Sequence, residues 1–320
     1  MGAYLIKSLV EQGYSVRALR RGKSLPAFIP PEVWTAVQWV QGDLFDPVAL
    51  AEGMEIQDAV IHCAGLVSFH PSERTLLYRT NVEGTANIIN TALECAIPRF
   101  VHVSSVAAIG RSLTGSQVNE SHKWDPRQKT THYARSKYEG ELEVWRGIAE
   151  GLNAVIVNPS TVLGYGDWNH TSCALFRNAY REFPWYTKGI NGFVDVEDVA
   201  SATIQLMNSP VQGERYLLNG ENWPFQQLLN ALADGFGKKR PSRFATPLLT
   251  ALAWRAAAVQ ALLRGEKPLL TKESARMAHS QTYFNNEKLL QALPGFQFTP
   301  LSTTIKKACQ RYREQIGDPQ

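Results

Sequence analysis

A chain of 320 residues can bury a substantial core in one or two closely packed domains. Its composition is that of an ordinary globular protein, 44% hydrophobic and 19% charged, and its net charge of +4 comes from 33 basic against 29 acidic residues scattered along the sequence. The longest basic cluster, Lys238-Lys239-Arg240, is too short for a nucleic-acid stripe, and Cys63, Cys95, Cys173 and Cys309 show neither zinc-ligand nor disulfide-framework spacing. Unpaired cysteines and the absence of a basic-then-apolar leader lead us to expect a cytoplasmic protein.

Residues 2–12 predict a helix, with Leu5, Ile6, Leu9 and Val10 on one face and Gly13 to end it. Strands are expected at 14–19 and 37–40, and the apolar runs 59–63 and 100–103 suit buried parallel strands. Between these two runs lies a long helical segment, about 72–95. A second helix runs from about 132 to 150, followed by a strand at 154–157 and a glycine-bearing loop after Pro159. From about Asn219 helical segments dominate, at 224–235, 248–263, 271–279 and 301–313. The segment 248–263 is too short to span a bilayer and carries Arg255 at its middle, so a buried or amphipathic helix is expected rather than a membrane-surface one. Alternating strands and helices predict an α/β, Rossmann-type doubly wound parallel sheet with a smaller, mostly helical substrate domain. The expected division is 1–164 plus about 188–218 for the dinucleotide-binding domain, and about 165–187 plus 219–317 for the substrate domain.

Tyr133 and Lys137 stand four residues apart on a predicted helix and so share a face. A nearby ammonium favours phenolate, lowering the tyrosine pKa toward that of a usable acid or base. Ser104-Ser105 follows the strand at 100–103, at the end of a parallel strand where ligands bind. Asn81 occupies a helical position that asparagine does not favour, which suggests a polar role between core elements. Taken singly, each has an ordinary alternative: a tyrosine on a lysine stem, two loop-capping serines, an exposed helical asparagine.

Together these motifs resemble the extended short-chain dehydrogenases/reductases, in the branch of dihydroflavonol-reductase-like and hydroxysteroid-dehydrogenase-like proteins. The resemblance is carried by Val16-Arg-Ala-Leu-Arg-Arg21, Gly42-Asp-Leu44, His62-Cys-Ala-Gly65, Asn81-Val-Glu-Gly84, Ser104-Ser105, Tyr133 to Lys137, Asn158-Pro-Ser-Thr-Val-Leu-Gly164 and Phe193-Val-Asp-Val-Glu-Asp-Val-Ala200. It implies Tyr133 as catalytic acid, Lys137 tuning it and holding the nicotinamide ribose, Ser105 orienting a carbonyl and Asn81 supporting the site. Asp43 and Leu44 would flank the adenine, Ala64 and Gly65 would meet the cofactor through backbone, and Pro159 to Val162 would line the nicotinamide. The two long helices would pair across a homodimer, as in the family.

The stretch after the second family strand ends in Leu19-Arg20-Arg21, with Lys23 close by, where NAD-binding versions carry an acidic residue. Guanidinium groups suit a 2′-phosphate, so NADP(H) is expected over NAD(H). The sequence opens at Met1-Gly2, with Gly2 matching the third glycine of the family's phosphate-binding turn. The two earlier glycines and the preceding strand have no counterpart, and an amino-terminal truncation is expected. Thr161 stands where sugar-nucleotide members carry asparagine, which disfavours a nucleotide-sugar epimerase or dehydratase. The aromatics Trp168, Phe183, Trp185, Tyr186 and Trp254 suggest an apolar, ring-shaped small-molecule substrate. The expected activity is hydride transfer between NADP(H) and a ketone or secondary alcohol. The alternatives are an epimerase/dehydratase and a non-catalytic NADP(H)-sensing protein.

Overall fold

Strand-length apolar runs alternate with helices through residue 218, and both faces of the central strands are covered. In this computed structural model residues 1–22, 25–26, 28–111, 117–128, 130–264 and 271–317 are described, with backbone only within 259–264. The amino-terminal elements are α1 (Gly2–Glu11), β1 (Val16–Arg20), α2 (Pro31–Thr35), β2 (Val37–Gln41), α3 (Pro47–Met54) and β3 (Ala59–His62). A continuous helical path follows: α4 (Arg74–Tyr78), a π turn at Arg79–Glu83, and α5 (Gly84–Glu94). Next come β4 (Arg99–Val103), α6 (Val106–Ile109), α7 (His132–Ala149), β5 (Ala154–Pro159) and β6 (Thr161–Leu163). The remainder is α8 (Ala174–Tyr180), β7 (Trp185–Tyr186), β8 (Ile190–Asp195), α9 (Val196–Met207), β9 (Glu214–Leu218), β10 (Glu221–Pro224), α10 (Phe225–Phe236), β11 (Arg243–Phe244), α11 (Pro247–Arg264), α12 (Lys272–Met277), α13 (Glu287–Ala292) and α14 (Leu301–Ile316).

The parallel strands of the central layer fall into two groups, β2-β1 and β3-β4-β5-β9, with smaller parallel pairs at β6-β8 and β7-β11; among the described residues β1 pairs only with β2 and β3 only with β4. Alternation along β5 shows the two-sided burial of a doubly wound fold: Val155 and Val157 pack with Tyr4 and Leu5 of α1 and Ala200 and Ile204 of α9. Ala154 and Ile156 pack on the opposite side with α3, α5 and α7, through Leu50, Ile89 and Val144. A further core joins α8, α10 and α14 around Phe176, Leu232, Phe236, Ile305 and the fully buried Tyr312. Half-buried Trp168 stacks on Tyr312, with ring centres 5.5 Å apart.

Local chemistry sets the helix ends nearest the strand tips. Asp46 caps α3 by accepting from Ala49 N at 3.0 Å, ahead of Pro47, and Thr131 caps α7 by accepting from Ala134 N at 2.9 Å. Gly237, at φ 65°, ends α10 in a left-handed turn. The segment expected as a buried or amphipathic helix forms α11, but its leucines point outward: Leu248 is 73% and Leu252 59% exposed, while Thr250 is buried against His279. Among the described residues no helix is long and apolar enough to cross a membrane.

Candidate active site

The carboxyl ends of β3, β4 and β5 lead into three turns that meet the first turns of α7. Ser105 follows β4 and is the amino-terminal cap of α6, its hydroxyl accepting from Ala107 N at 3.2 Å. Thr131 fixes the start of α7, which puts Tyr133 in its first turn and Lys137 one turn further along the same face. The phenol of Tyr133 lies beside the Ser105 side chain, which acts to lower its pKa, and its ring makes an edge-type contact with Phe69 at a centroid distance of 5.8 Å. Lys137 is buried and donates to Val103 O at 3.3 Å.

The electrostatics differ from the sequence expectation in one respect. Burial pushes the Tyr133 phenol above its ordinary value, and the Ser105 side chain is what opposes the rise. Lys137 does not produce the expected lowering. Its ammonium faces the Val103 carbonyl, and its own pKa is brought down to about 8 by burial, against the pull of Glu141 and Cys63.

Asn81 lies in the π turn, and its amide is wholly engaged. Oδ1 accepts from Leu66 N at 2.7 Å, while Nδ2 donates to Leu66 O and to Ser136 Oγ, both at 2.9 Å. It therefore clasps the turn after β3 to α7. Its carbonyl accepts from Thr85 Oγ1 at 2.8 Å, and Thr85 in turn pairs with His62 Nε2 at 3.1 Å.

Behind the serines runs a polar network that the sequence reading did not find. The Glu141 carboxylate accepts from Ser104 Oγ and Asn158 Nδ2, each at 2.7 Å, and ion-pairs with Arg215 at 3.1 Å. Asn158 Nδ2 also donates to Ser105 O at 3.0 Å. One signal was available: Glu141 extends the four-residue spacing of Tyr133 and Lys137. A second feature, the buried pair His62 and His102, faces across β3 and β4 with ring centres 5.1 Å apart.

The residues expected to hold a dinucleotide lie in two places. Beside Lys137, Ala64 and Gly65 are exposed, and a side chain on Gly65 would crowd Asn81 Oδ1 at 3.3 Å and lie 3.9 Å from Lys137 Nζ, so glycine there keeps the turn open to close approach. Pro159 is buried at the end of β5 and Val162 half-buried in β6. At the ends of β1 and β2, Arg20 lays its guanidinium over Trp39 at 4.7 Å and keeps a buried Nε with no partner among the described residues, while Arg21 is exposed. Asp43 Oδ1 accepts from Phe45 N at 2.7 Å, and Leu44 is buried against Gly84. Gly2 opens α1 beside Cys63. Lys23 lies outside the described residues. An open glycine turn next to a buried lysine, with an unpartnered arginine nitrogen at the other end, fits a dinucleotide.

Comparison with known proteins gives the same family. The sequence profile described as the NAD dependent epimerase/dehydratase family matches residues 1–218. A dihydroflavonol 4-reductase-like protein of Synechocystis sp. is 34% identical over 301 residues, 92% of this chain and 86% of the relative. Sterol demethylase protein B of Methylococcus capsulatus is 31% identical over 249 residues, 77% of this chain and 74% of the relative. The crystal structure of gox2253 superimposes with a TM-score of 0.82 at 27% identity, covering 100% of this chain and 96% of that one. The chain belongs to the NAD dependent epimerase/dehydratase family, as an oxidoreductase of the extended short-chain dehydrogenase/reductase type.

Proposed function

We propose that this chain reduces a ketone on an apolar carbon frame to a secondary alcohol with NADPH, and catalyses the reverse reaction. The observation that carries the reading is the Tyr133 phenol beside the Ser105 side chain, one helical turn from buried Lys137 and beside the open turn at Gly65. A bound reduced nicotinamide supplies the hydride to the carbonyl carbon. Tyr133 donates its phenolic proton to the carbonyl oxygen, so that hydride and proton together complete the alcohol. The raised pKa keeps the phenol protonated at neutral pH, as a donor in the reductive direction must be. Ser105 gives the same oxygen a second hydrogen bond and fixes its place. Lys137 would hold the ribose of the bound cofactor, with Gly65 allowing close approach.

Support for the substrate class comes from Phe69 against the Tyr133 ring and from the reductase and sterol names of the relatives. Support for NADP(H) comes from Arg20, whose unpartnered Nε and planar guanidinium suit a 2′-phosphate, with Arg21 beside it.

The test is fluorescence titration with NADPH and NADH, followed by turnover of Tyr133→Phe. NADPH is expected to bind the more tightly, and Arg20→Ala with Arg21→Ala should erase the difference. Preference for NADH would overturn the cofactor assignment. Tyr133→Phe should bind NADPH normally and turn over none of it, whereas undiminished turnover would overturn the mechanism. Net NADPH consumption separates a reductase from an epimerase, which returns its cofactor unchanged.

A further inference from the structure

We propose that the surface formed by the turn before β7, the β7–β11 pair and the first half of α11 docks on an anionic lipid bilayer. The starting point is the orientation of α11. Its inward side carries Thr250, buried and hydrogen-bonded to His279 Nε2 at 2.8 Å, with half-buried Ala251 and Trp254. Its outward side carries Leu248, Leu249 and Leu252, exposed by 73%, 39% and 59%. A helix that turns threonine inward and leucines to solvent leaves an apolar face without cover among the described residues.

Phe183, 52% exposed, lies in the turn before β7, which is tied to the segment leading into α11: Arg243 N donates to Pro184 O and Lys239 N to Glu182 Oε1. The chain segments that build this surface are rich in basic side chains. Segments 181–188 and 234–258 contain seven basic residues (Arg181, Lys188, Lys238, Lys239, Arg240, Arg243 and Arg255) and only two acidic ones, Glu182 and Asp234. Their net charge of +5 exceeds the +4 of the whole chain, so its positive excess is concentrated here. Four of the cations lie over aromatic rings: Lys188 on Phe244, Lys238 on Tyr180, Arg243 on Trp185 and Arg255 on Trp254.

Leucines that enter the acyl boundary, aromatic rings at headgroup depth and a basic rim are what an interfacial anchor on anionic lipid requires. A second copy fits poorly, because a two-fold contact would set one positive rim against another.

The test is flotation of the full chain with vesicles of neutral phosphatidylcholine and with vesicles containing phosphatidylglycerol. Binding is expected to the anionic vesicles, to weaken with added salt, and to fall at least about tenfold in Leu248→Asp/Leu252→Asp and in Lys239→Glu/Arg243→Glu. Circular dichroism and thermal midpoints should show both variants folded. Equal binding to the two vesicle types, no binding by wild type, or undiminished binding by folded variants would overturn the proposal. So would a wild-type dimer in solution that ignores vesicles and dissociates on the leucine substitutions, since a second copy would then be the cover.

Discussion

Glu141 and Arg215 form an ion pair of 3.1 Å directly behind the serines that close the site, with the Glu141 side chain only 2% exposed. The carboxylate also takes the Ser104 hydroxyl and the Asn158 amide, and that amide holds the Ser105 carbonyl. One buried charge on α7 thus fixes the segment presenting Ser105 relative to Tyr133, two turns earlier on the same helix. Replacing Glu141 by leucine leaves the Arg215 guanidinium with backbone carbonyls only and takes the carboxylate acceptor from Ser104, Asn158 and Trp145, and urea unfolding should show a loss of about 3–5 kcal/mol. Glu141→Gln keeps the shape and one acceptor. It should fold, while kcat falls about tenfold as Ser105 loses its position, with cofactor affinity little changed. A leucine variant as stable as wild type would show that the network holds nothing.

Gly140 meets the π turn at its tightest point. A methyl group there would lie 2.1 Å from the Asn81 carbonyl oxygen, which is backbone and cannot swing aside. Gly147, two turns on, would place its methyl 2.6 Å from Ile89 Cγ2, which a rotamer change can move. Helix propensity alone favours alanine at both sites by about 1 kcal/mol. We expect Gly140→Ala to cost about 3 kcal/mol and to lower turnover by displacing Asn81, and Gly147→Ala to cost far less. Thermal unfolding of the pair decides it, and equal midpoints would mean that α7 does not bear on the π turn there.

Much of this was legible in the sequence where the signal is local. Tyr133 and Lys137 announce themselves by four-residue spacing and Ser105 by following an apolar strand. Other features depend on contacts far apart in the chain. Arg215 lies 74 residues from Glu141 and has no pattern of its own. The π turn that aims Asn81 looks like any helix in sequence. Tyr133 was expected to be acidified by Lys137, but its depth, which spacing does not show, raises its pKa instead. The outward leucines of α11 were missed for a similar reason. Periodicity marks a face but not the side on which the rest of the protein lies, and Thr250 bonding to His279 decides that.

Lys137 makes stability depend on alkaline pH in a definite direction. Burial lowers its pKa from 10.5 to about 8, so between those values the unfolded chain binds a proton that the folded chain does not. Stability contributed by this residue therefore rises as pH increases through that window, by on the order of 3 kcal/mol in total. Lys137→Met removes the ionisable group. The difference in unfolding free energy between wild type and variant, measured from pH 7.5 to 10, should move in favour of wild type. A difference that stays flat would place the ammonium in a more hydrated setting than the structure shows.

The histidine pair acts at the opposite end of the pH scale. His62 and His102 are paired in register on β3 and β4, are almost wholly buried, and lie under the positive charge of Lys137. Burial is the main cause that brings His62 down to about 3 and His102 well below 6.5, with Lys137 adding to both. Both are neutral in the folded chain, whereas in the unfolded chain they take up protons near their ordinary value. The unfolded state then binds more protons below about pH 6.5, so stability is full above that point and declines as pH falls toward 3. His62 at least has Thr85 as a partner, but both ring nitrogens of His102 have none among the described residues. His102→Phe should therefore fold at least as well at neutral pH, because an unsatisfied polar ring is replaced by an apolar one of similar shape. Its acid limb should be distinctly shallower than that of wild type in urea unfolding between pH 7 and 4.5. If the two limbs run parallel, the acid sensitivity arises elsewhere and the strand pairing tolerates a charged imidazole.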